Sequence, residues 1–349
     1  MWITSSPTSA KKPTKIALGN FDGVHLGHQH VIEPVLTHKG GLPSLVLADD
    51  MCLQAAAASG YSDLPGVASA FESSTSGFAE WASVVTFFPH PKEYFSGQSR
   101  SLLTPLEEKS RQLACLGVDQ LVLLPFDAAL ANLDAAMFVE KILIQNLQAT
   151  HISVGSDFHF GKGRGGNAEL LYEIATRHHI PVTIVPLHND IEGRISSSRI
   201  RQALADGELT KANHLLGRPY ALSGQVTLGN QLGRTIGFPT ANLKLPSDKF
   251  IPCQGVYSVK VFGILSNQKP LLGVMNIGNR PTVAGQDLSV EVHIFDWEGD
   301  LYGETLTVSL ESFIRPEQKF GSLEALKEQI VKDCVTAKEM LNTSTSPVT

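Results

Sequence analysis

Two short segments of the chain carry residue types that bind and transfer phosphate. In the first, His25 and His28 stand three positions apart within GVHLGH, directly after an apolar run and the turn signal GNFDG. On a helix this spacing places both imidazoles on one face, and the helix N-terminus adds backbone N–H donors. Gly27 allows a nucleotide to approach the backbone closely. The pattern favours nucleotidyl transfer, in which a phosphate oxygen attacks the α-phosphorus of ATP while the protein positions the reactants and stabilises charge.

The segment ISSSRIR, which begins at Ile195, supports the same chemistry. Arg201 follows Ser198 by three residues, so a hydroxyl and a guanidinium can meet one phosphate chain. Ser197 and its neighbours also suit a helix cap, and an isolated HxxH is usually an ordinary surface pair. The two motifs together nevertheless favour a phosphate site.

A glycine-rich segment, GKGRGG from Gly161 to Gly166, matches the GxGxxG pattern of dinucleotide-binding proteins. Lys162 and Arg164 interrupt it, and the acidic residue expected about 20 positions later is not evident, because Asp190 and Glu192 come too late. These departures from the pattern argue against an NAD site. The chain also contains no GxxxxGK[ST] sequence, so no Walker A loop is predicted.

The second phosphate-binding candidate runs from Gly224 to Leu243. Arg234 brings a fixed positive charge, and Thr240 and Asn242 offer a hydroxyl and an amide oxygen that suit Mg²⁺ beside ATP. An alternative is that the segment only supplies barrel corners and a turn. Four glycines suit tight turns and close approach to phosphate, namely Gly224, Gly229, Gly233 and Gly237.

A carboxylate with the position of a general base occurs in LSVEVHIF. On a strand, Glu291 and His293 share one face, and Val290, Val292 and Ile294 share the other. Glu291 could accept a proton from a substrate hydroxyl. A solvated outer strand face is the plainer alternative.

The order of predicted elements indicates two different folds. Strands alternate with helices up to ISSSRIR, which predicts a doubly wound parallel α/β sheet. Beyond it, short β-branched runs separated by Gly, Asn and Pro predict an antiparallel barrel or sandwich, closed by an amphipathic helix from Ser322 to Leu341. The predicted strands of the sheet are Lys15–Phe21, Ser83–Phe88, Gln120–Phe126, His151–Phe158 and Val182–Leu187.

The length of 349 residues also favours two domains, since a domain typically has roughly 100–200 residues. We expect domains at 1–214 and 215–341, followed by a disordered tail at 342–349. The stretch at 49–80 is rich in Ala, Ser and Gly and has no clear period. We predict a mobile surface insertion there, or an extra helix over the alanines.

Composition limits the partners. The net charge of −6 provides no general field for nucleic acid or an anionic membrane. The N-terminus has no apolar signal-peptide core, no stretch is long and apolar enough to span a bilayer, and the four cysteines include no CxxC pair. We expect a cytoplasmic enzyme with small-molecule substrates, no nucleic-acid or membrane partner, and weak self-association at most.

The motifs occur in one order that closely resembles the bacterial bifunctional riboflavin kinase/FMN adenylyltransferase (FAD synthetase) family. The resemblance runs from about Lys15 to Asp333 and departs from the family at the insertion. It implies a Rossmann-like nucleotidyltransferase domain that adenylylates FMN to FAD, followed by a barrel that phosphorylates riboflavin to FMN with ATP and Mg²⁺. The matching segments are GNFDGVHLGH, TFFPHP, VGSDFHFGKGRGG, ISSSRIR, LLGRPY, GRTIGFPTAN, NIGNRPT, VEVHIF and IRPEQKF.

The resemblance also implies roles for individual residues. His25 and His28 would hold the α- and β-phosphates, Thr240 and Asn242 would hold Mg-ATP, and Glu291 would deprotonate the riboflavin 5′-hydroxyl. Arg315 would lie on a mobile segment near the flavin. The outer phosphates would be held by Ser197, Ser198 and Arg201, and the nucleotide and flavin pocket would be shaped by Asn20, Phe21, Asp157, Phe158 and Arg164.

Two other functions stay open at this point. A nucleotidyltransferase of the same type could use a different phosphorylated acceptor or an alcohol. A flavin-binding regulator with an inactive barrel would bind flavin without consuming ATP, although Thr240, Asn242 and Glu291 are intact.

Overall fold

The computed structural model describes residues 1–36, 80–229, 232–264, 269–282 and 285–343. These residues divide into two compact units, 1–36 with 80–197, and 198–343. Of the predicted insertion at 49–80, all but Glu80 lies outside the described residues. Asn342 and Thr343, predicted to begin the disordered tail, belong instead to the last helix, and the rest of the tail lies outside the described part of the chain.

The strands of the first unit are β1 (Trp2–Thr4), β2 (Thr14–Leu18), β3 (Trp81–Phe88), β4 (Gln120–Pro125), β5 (Ala149–Gly155), β6 (His159–Phe160), β7 (Gly166–Asn167), β8 (Val182–Val185), β9 (Asn189–Asp190) and β10 (Gly193–Arg194). Six of them form one sheet in the order β1-β4-β3-β2-β5-β8. Every pair of neighbours in this sheet is parallel.

Helices cover both faces of this sheet, as the predicted doubly wound fold requires. Successive residues of a strand point to opposite faces. Accordingly, Ile16 and Leu18 belong to one buried cluster and Ala17 to another. The helical segments of the unit are Pro7–Ser9, Leu26–Ile32, Glu33–Val35, Pro91–Ser96, Leu106–Cys115, Ala128–Ala131, Ala135–Met137 with the π-helix Phe138–Asn146, Lys162–Arg164 and Ala168–Arg177.

The strands of the second unit are β11 (Tyr220–Thr227), β12 (Ala241–Lys244), β13 (Gly255–Phe262), β14 (Leu271–Thr282), β15 (Gly285–Ile294) and β16 (Thr305–Pro316). They form a closed antiparallel barrel in the order β11-β12-β15-β14-β13-β16, which confirms the barrel alternative. Its helices are Ser197–Ala205, whose first residue ends the first unit, Leu209–Leu216, Leu232–Thr235 and Leu323–Thr343. Since two of these helices precede residue 217 and group with the barrel, the functional boundary at 214/215 stays a prediction.

Two further observations concern membrane spans and cysteines in the described part of the chain. Among the described helices, none combines the length and the apolar character needed to cross a membrane. Cys253 and Cys334 are free, whereas Cys115 is disulfide-bonded, which the cysteine spacing did not predict.

Candidate active sites

The backbone turns sharply where β2 ends and the first motif begins. Phe21 and Val24 have positive φ values of 49° and 43°, and Gly23 has φ of 94°. The left-handed region is uncommon for residues with a Cβ, and it persists only where the surroundings impose it. Both Phe21 and Val24 are buried. The strand therefore ends three residues earlier than predicted, and Phe21 is a packed corner of the turn.

Side chains and backbone from distant segments hold this turn in place. The Oδ1 atom of buried Asp22 accepts the backbone N–H of Leu103 at 2.9 Å. In return, Gly23 donates its N–H to the Thr104 hydroxyl at 2.9 Å. The Ser197 hydroxyl donates to the Asp22 carbonyl at 2.8 Å. Ser197, a predicted phosphate-site residue, is thus brought to the same turn as the histidine motif.

The two histidines of the motif form one stacked pair. His25 caps the helix Leu26–Ile32, and its Nδ1 atom accepts the backbone N–H of His28 at 3.3 Å. The rings lie 3.6 Å apart at an interplanar angle of 15°. A Cβ added at Gly27 would lie 3.3 Å from the His25 ring, which is tight, so glycine makes room for the stack. The three-residue spacing predicted both imidazoles on one face, and the stacked rings agree with this prediction.

Lys109 is a cation near the first motif that the sequence interpretation missed. Its ammonium donates to the backbone carbonyl of exposed Asn20 at 3.1 Å, and the Thr86 hydroxyl donates to the same carbonyl at 3.2 Å. Burial lowers the pKa of the Lys109 ammonium. In sequence, Lys109 is simply one lysine of an amphipathic helix. Such lysines usually face solvent, so nothing in the sequence indicated a role for it at this site.

Aromatic side chains form an exposed group at the carboxyl ends of β3 and β4, the edge where ligands bind in such sheets. The Phe126 ring lies 5.4 Å from Tyr94 and 5.8 Å from Phe95. Phe95 is 71% exposed. Nearby, His90 caps the helix that follows β3, and burial together with the Arg100 charge lowers the pKa of His90 to about 4. The TFFPHP motif lies beside these rings, but no sequence signal gave them a role.

The remaining predicted residues of this unit lie beyond β5. Asp157 forms an ion pair with Arg194. The ring of Phe158 stacks on Phe160 at 5.8 Å and 18°. Arg164 is exposed, with φ of 60°. Across the GKGRGG segment, β6 and β7 pair as a short antiparallel hairpin.

Ser198 and Arg201 fall within the second unit. Ser198 is exposed near the start of its helix. The guanidinium of Arg201 lies 5.8 Å from the Phe250 ring centroid, a cation–π contact within that unit. Both roles at the outer phosphates stay predictions.

Residues of the barrel and of the C-terminal helix line a partly open cavity of about 490 Å³, and Thr240 and Glu291 are among them. The Thr240 hydroxyl donates to Glu291 Oε2 at 3.1 Å. His293, on the same strand face as Glu291, has an Nδ1 atom 2.8 Å from the Pro239 carbonyl. Glu291 therefore lines a cavity beside a hydroxyl, on the face of β15 opposite buried Val290 and Val292.

Asn242 lies directly opposite Glu291 in the ladder between β12 and β15. A Cβ added at Gly229 would come within 2.7 Å of the Asn242 Oδ1 atom, so only glycine leaves this amide its space. Gly233 lines the cavity, whereas Arg234, in the same short helix, is exposed. The segment GRTIGFPTAN is thus more than a turn, because its last two residues begin β12.

Arg315 also lines the cavity, and it lies near the end of β16. Its Nη2 atom is 2.7 Å from Asp333 Oδ2, and its Nη1 donates to the Pro316 carbonyl at 3.0 Å. The Phe320 ring centroid lies 5.7 Å from the guanidinium. Asp333 also lines the cavity. No sequence signal predicted this role, because Asp333 stands only at the end of the segment that resembles the family.

Comparisons with known proteins agree with this division into two sites. The FAD synthetase family model matches residues 8–48 and 75–199, leaving 49–74 unmatched, and the riboflavin kinase family model matches residues 216–341. The chain is 39% identical to the bifunctional riboflavin kinase/FMN adenylyltransferase of Escherichia coli K12, over 93% of this chain and 91% of that protein. It is 38% identical to the protein of the same description from Haemophilus influenzae, over 94% of both chains.

A solved structure has the same fold. It is a Streptococcus pneumoniae protein described as a macrolide-efflux protein, with a TM-score of 0.73 and 30% identity, covering 95% of this chain and 96% of that one.

Proposed function

The chain belongs to the family of bifunctional riboflavin kinase/FMN adenylyltransferases, and on this premise we propose how its residues divide the two reactions. The C-terminal barrel phosphorylates riboflavin to FMN with ATP, and the N-terminal domain transfers AMP from ATP to FMN, giving FAD and pyrophosphate. The product of the barrel is therefore the acceptor in the N-terminal domain.

In the proposed adenylylation site, the stacked pair of His25 and His28 binds the phosphates around the α-phosphorus of ATP. A phosphate oxygen of FMN attacks that phosphorus, and the bond to pyrophosphate breaks. The protein supplies no nucleophile, and its contribution is to hold phosphoryl oxygens with fixed donors. The observation that carries this assignment is the stack of two imidazoles, 3.6 Å apart, on a turn held by Asp22 and Thr104.

The acceptor FMN also has candidate partners in this unit. The exposed aromatic group of Tyr94, Phe95 and Phe126 offers stacking faces at the carboxyl edge of the sheet, which suits the flat ring system of FMN. Lys109, hydrogen-bonded to the Asn20 carbonyl, adds positive charge beside the turn that precedes the histidine pair. The proposed pocket residues Asp157, Phe158 and Arg164 complete this set, and Ser197, Ser198 and Arg201 are the proposed ligands of the outer phosphates.

In the proposed kinase site, Glu291 accepts the proton of the riboflavin 5′-hydroxyl, whose oxygen then attacks the γ-phosphorus of ATP while ADP leaves. The carrying observation is the hydrogen bond from Thr240 to Glu291 inside the cavity. Gly229, Gly233 and Arg234 would contact the nucleotide.

Mg²⁺ fits the residues around Glu291. Thr240 and Asn242 offer neutral oxygens, which are hard donors that suit this ion beside phosphate. The glycine at 229 preserves the space that the Asn242 amide occupies. When bound, Mg²⁺ would neutralise charge on the phosphates, and Thr240 and Asn242 would hold it.

The experiment for both sites is a turnover assay of the purified chain with riboflavin, ATP and Mg²⁺, with products separated by chromatography. FMN should form first and FAD second. A parallel assay with FMN, other phosphorylated acceptors and alcohols distinguishes the alternative acceptor, since FMN should be adenylylated fastest. Flavin binding without ATP consumption would favour the regulator hypothesis and contradict both assignments.

The small-molecule substrates ATP, riboflavin and FMN suit these activities. We propose in addition a cytoplasmic location, where ATP is available, and no macromolecular partner beyond a weakly associating second copy. Sedimentation of the purified chain over a range of concentrations, with and without tRNA and anionic vesicles, tests the partners.

A further inference from the structure

A buried carboxylate on the C-terminal helix binds Arg315. Asp333 is only 4% exposed. Its two oxygens accept the Nε–H of Arg315 at 2.9 and 3.1 Å and an Nη2–H at 2.7 Å. Gln329, one turn earlier on the helix, donates to Asp333 Oδ1 at 2.9 Å. A buried charge is tolerated when it is paired in this bidentate way and its remaining acceptor positions are used.

The geometry leaves part of Arg315 available to a ligand. A guanidinium has five N–H groups. Asp333 takes Nε–H and one Nη2–H, and the Pro316 carbonyl takes one Nη1–H. Among the contacts of the described residues, one N–H on each terminal nitrogen therefore remains. Since Arg315 and Asp333 line the same cavity as Glu291, a ligand there can reach these two donors.

The same helix also contributes an apolar wall. Leu326 and Ile330 line the cavity together with Asp333, and Phe320 lines it from the preceding segment. Riboflavin combines a large flat ring system with carbonyl acceptors at one edge. An apolar wall with a fixed pair of donors matches that combination.

We propose that Asp333 is a positioning residue for riboflavin in the kinase reaction. It fixes the plane of the Arg315 guanidinium, so that the two remaining N–H groups meet the polar edge of the flavin ring while the helix side chains pack against its body. This inference rests on the proposed assignment of the cavity to riboflavin phosphorylation.

The test compares full-length variants in steady-state riboflavin phosphorylation, with adenylylation of supplied FMN and thermal unfolding measured in parallel. Asp333→Asn keeps the volume and removes the charge. It should raise KM for riboflavin about tenfold, the scale of one lost charged hydrogen bond, with kcat and KM for ATP changed less than about threefold. Arg315→Lys should have a similar effect, and the double variant should be no worse than the poorer single variant, because the two residues act as one unit.

Lys338→Gln is the matched control. The substitution removes the exposed ion pair between Lys338 and Asp296, whose charged atoms lie 3.6 Å apart, and it should leave every kinetic constant unchanged. Gln329→Ala keeps the Arg315 pair but removes one bond to Asp333. It should raise KM for riboflavin about twofold, since a single hydrogen bond from a neutral amide supports Asp333 less than the charged pair does.

Several outcomes would overturn the inference. One is an Asp333→Asn variant with a lower melting temperature and an unchanged KM for riboflavin, which would assign Asp333 a structural role alone. A second is a double variant in which the KM increases of the two single variants multiply, since the two residues would then act independently. If Asp333→Asn does not fold, Gln329→Ala serves as the test, and an unchanged KM for riboflavin in that variant would contradict the inference. Glu291→Gln separates this inference from the proposed function: normal turnover there would refute the site assignment, whatever Asp333 does.

Discussion

The central residues of the two candidate sites differ in how the chain brings them together. In the first unit, His25 and His28 lie on one continuous stretch, and the helix cap of His25 arranges the pair locally. In the second unit, Thr240, Glu291 and Asp333 come from the segment before β12, from β15 and from the C-terminal helix. The histidine pair can be predicted from spacing, whereas the kinase cavity exists only once the barrel has closed.

This difference predicts which substitutions affect only one of the two activities. The histidine turn depends on the local cap of His25 and on the hydrogen bonds that join Asp22 and Gly23 to Leu103, Thr104 and Ser197. The cavity depends on the register of several strands. Variants that affect one activity and spare the other are the direct test of the comparison, because each activity serves as the folding control for the other.

The largest effect is expected for Glu291→Gln, which removes the proposed base and preserves size. Riboflavin phosphorylation should fall about 10²- to 10⁴-fold, the usual contribution of a general base. FAD formation from supplied FMN should be unchanged, as measured by chromatography. Glu298→Gln, at an exposed position, is the control. Retained phosphorylation at the normal rate would remove Glu291 from the chemical step.

His28→Ala should follow, with adenylylation of FMN reduced about 10²- to 10³-fold, the scale for losing one donor to a developing charge. FMN should accumulate from riboflavin, since the barrel is untouched. The control is His30→Ala on the same helix, whose ring is tilted against His188 at 4.3 Å and outside the stacked pair. Equal losses in both variants would mean that the helix, and not the stacked pair, is responsible.

A smaller effect is expected for Gly229→Ala. The added Cβ would displace the Asn242 amide, and overpacking of this kind costs roughly 1–3 kcal/mol. KM for ATP in riboflavin phosphorylation should rise about tenfold, with adenylylation unchanged. The control is Gly321→Ala, because a Cβ there meets nothing within 4 Å. Matching kinetics in both variants would argue against the Asn242 assignment.

The smallest effect concerns pH. The pKa of His90 is lowered from 6.5 to about 4, so between these values the unfolded chain binds a proton that the folded chain does not. His90 therefore reduces stability as the pH falls from about 6.5 towards 4. His90→Asn keeps a capping side chain, and should make the melting temperature fall less between pH 7 and pH 5. Exposed His178→Asn should leave this slope unchanged, and an unchanged slope in His90→Asn would contradict the assignment.

The sequence predicted the doubly wound sheet and the barrel well, because alternation of strands with helices and the later change to short β-branched runs are strong signals. It missed β1, since Trp2–Thr4 is too short to show a period and is defined by pairing with β4. It also missed β12, because Pro239 and Thr240 favour a turn and the strand is defined by its pairing with β11 and β15.

Within the sites, spacing identified residues that act from one segment, and failed for residues that act through a distant partner. Lys109 and Asp333 each look like an ordinary charged residue of an amphipathic helix. Their significance arises from the Asn20 carbonyl in one case and the Arg315 guanidinium in the other. Such pairings depend on tertiary structure, so no local pattern predicts them.

The cap formed by His25 determines where this ring carries its proton at the adenylylation site. Because Nδ1 accepts the His28 backbone N–H, it has no hydrogen of its own, and the neutral ring must carry its proton on Nε2. His25 is thus held in one tautomer before any nucleotide arrives, with its N–H on the nitrogen opposite the cap. The fold therefore makes the neutral imidazole a hydrogen-bond donor of fixed direction, pointing away from the helix end that its other nitrogen caps.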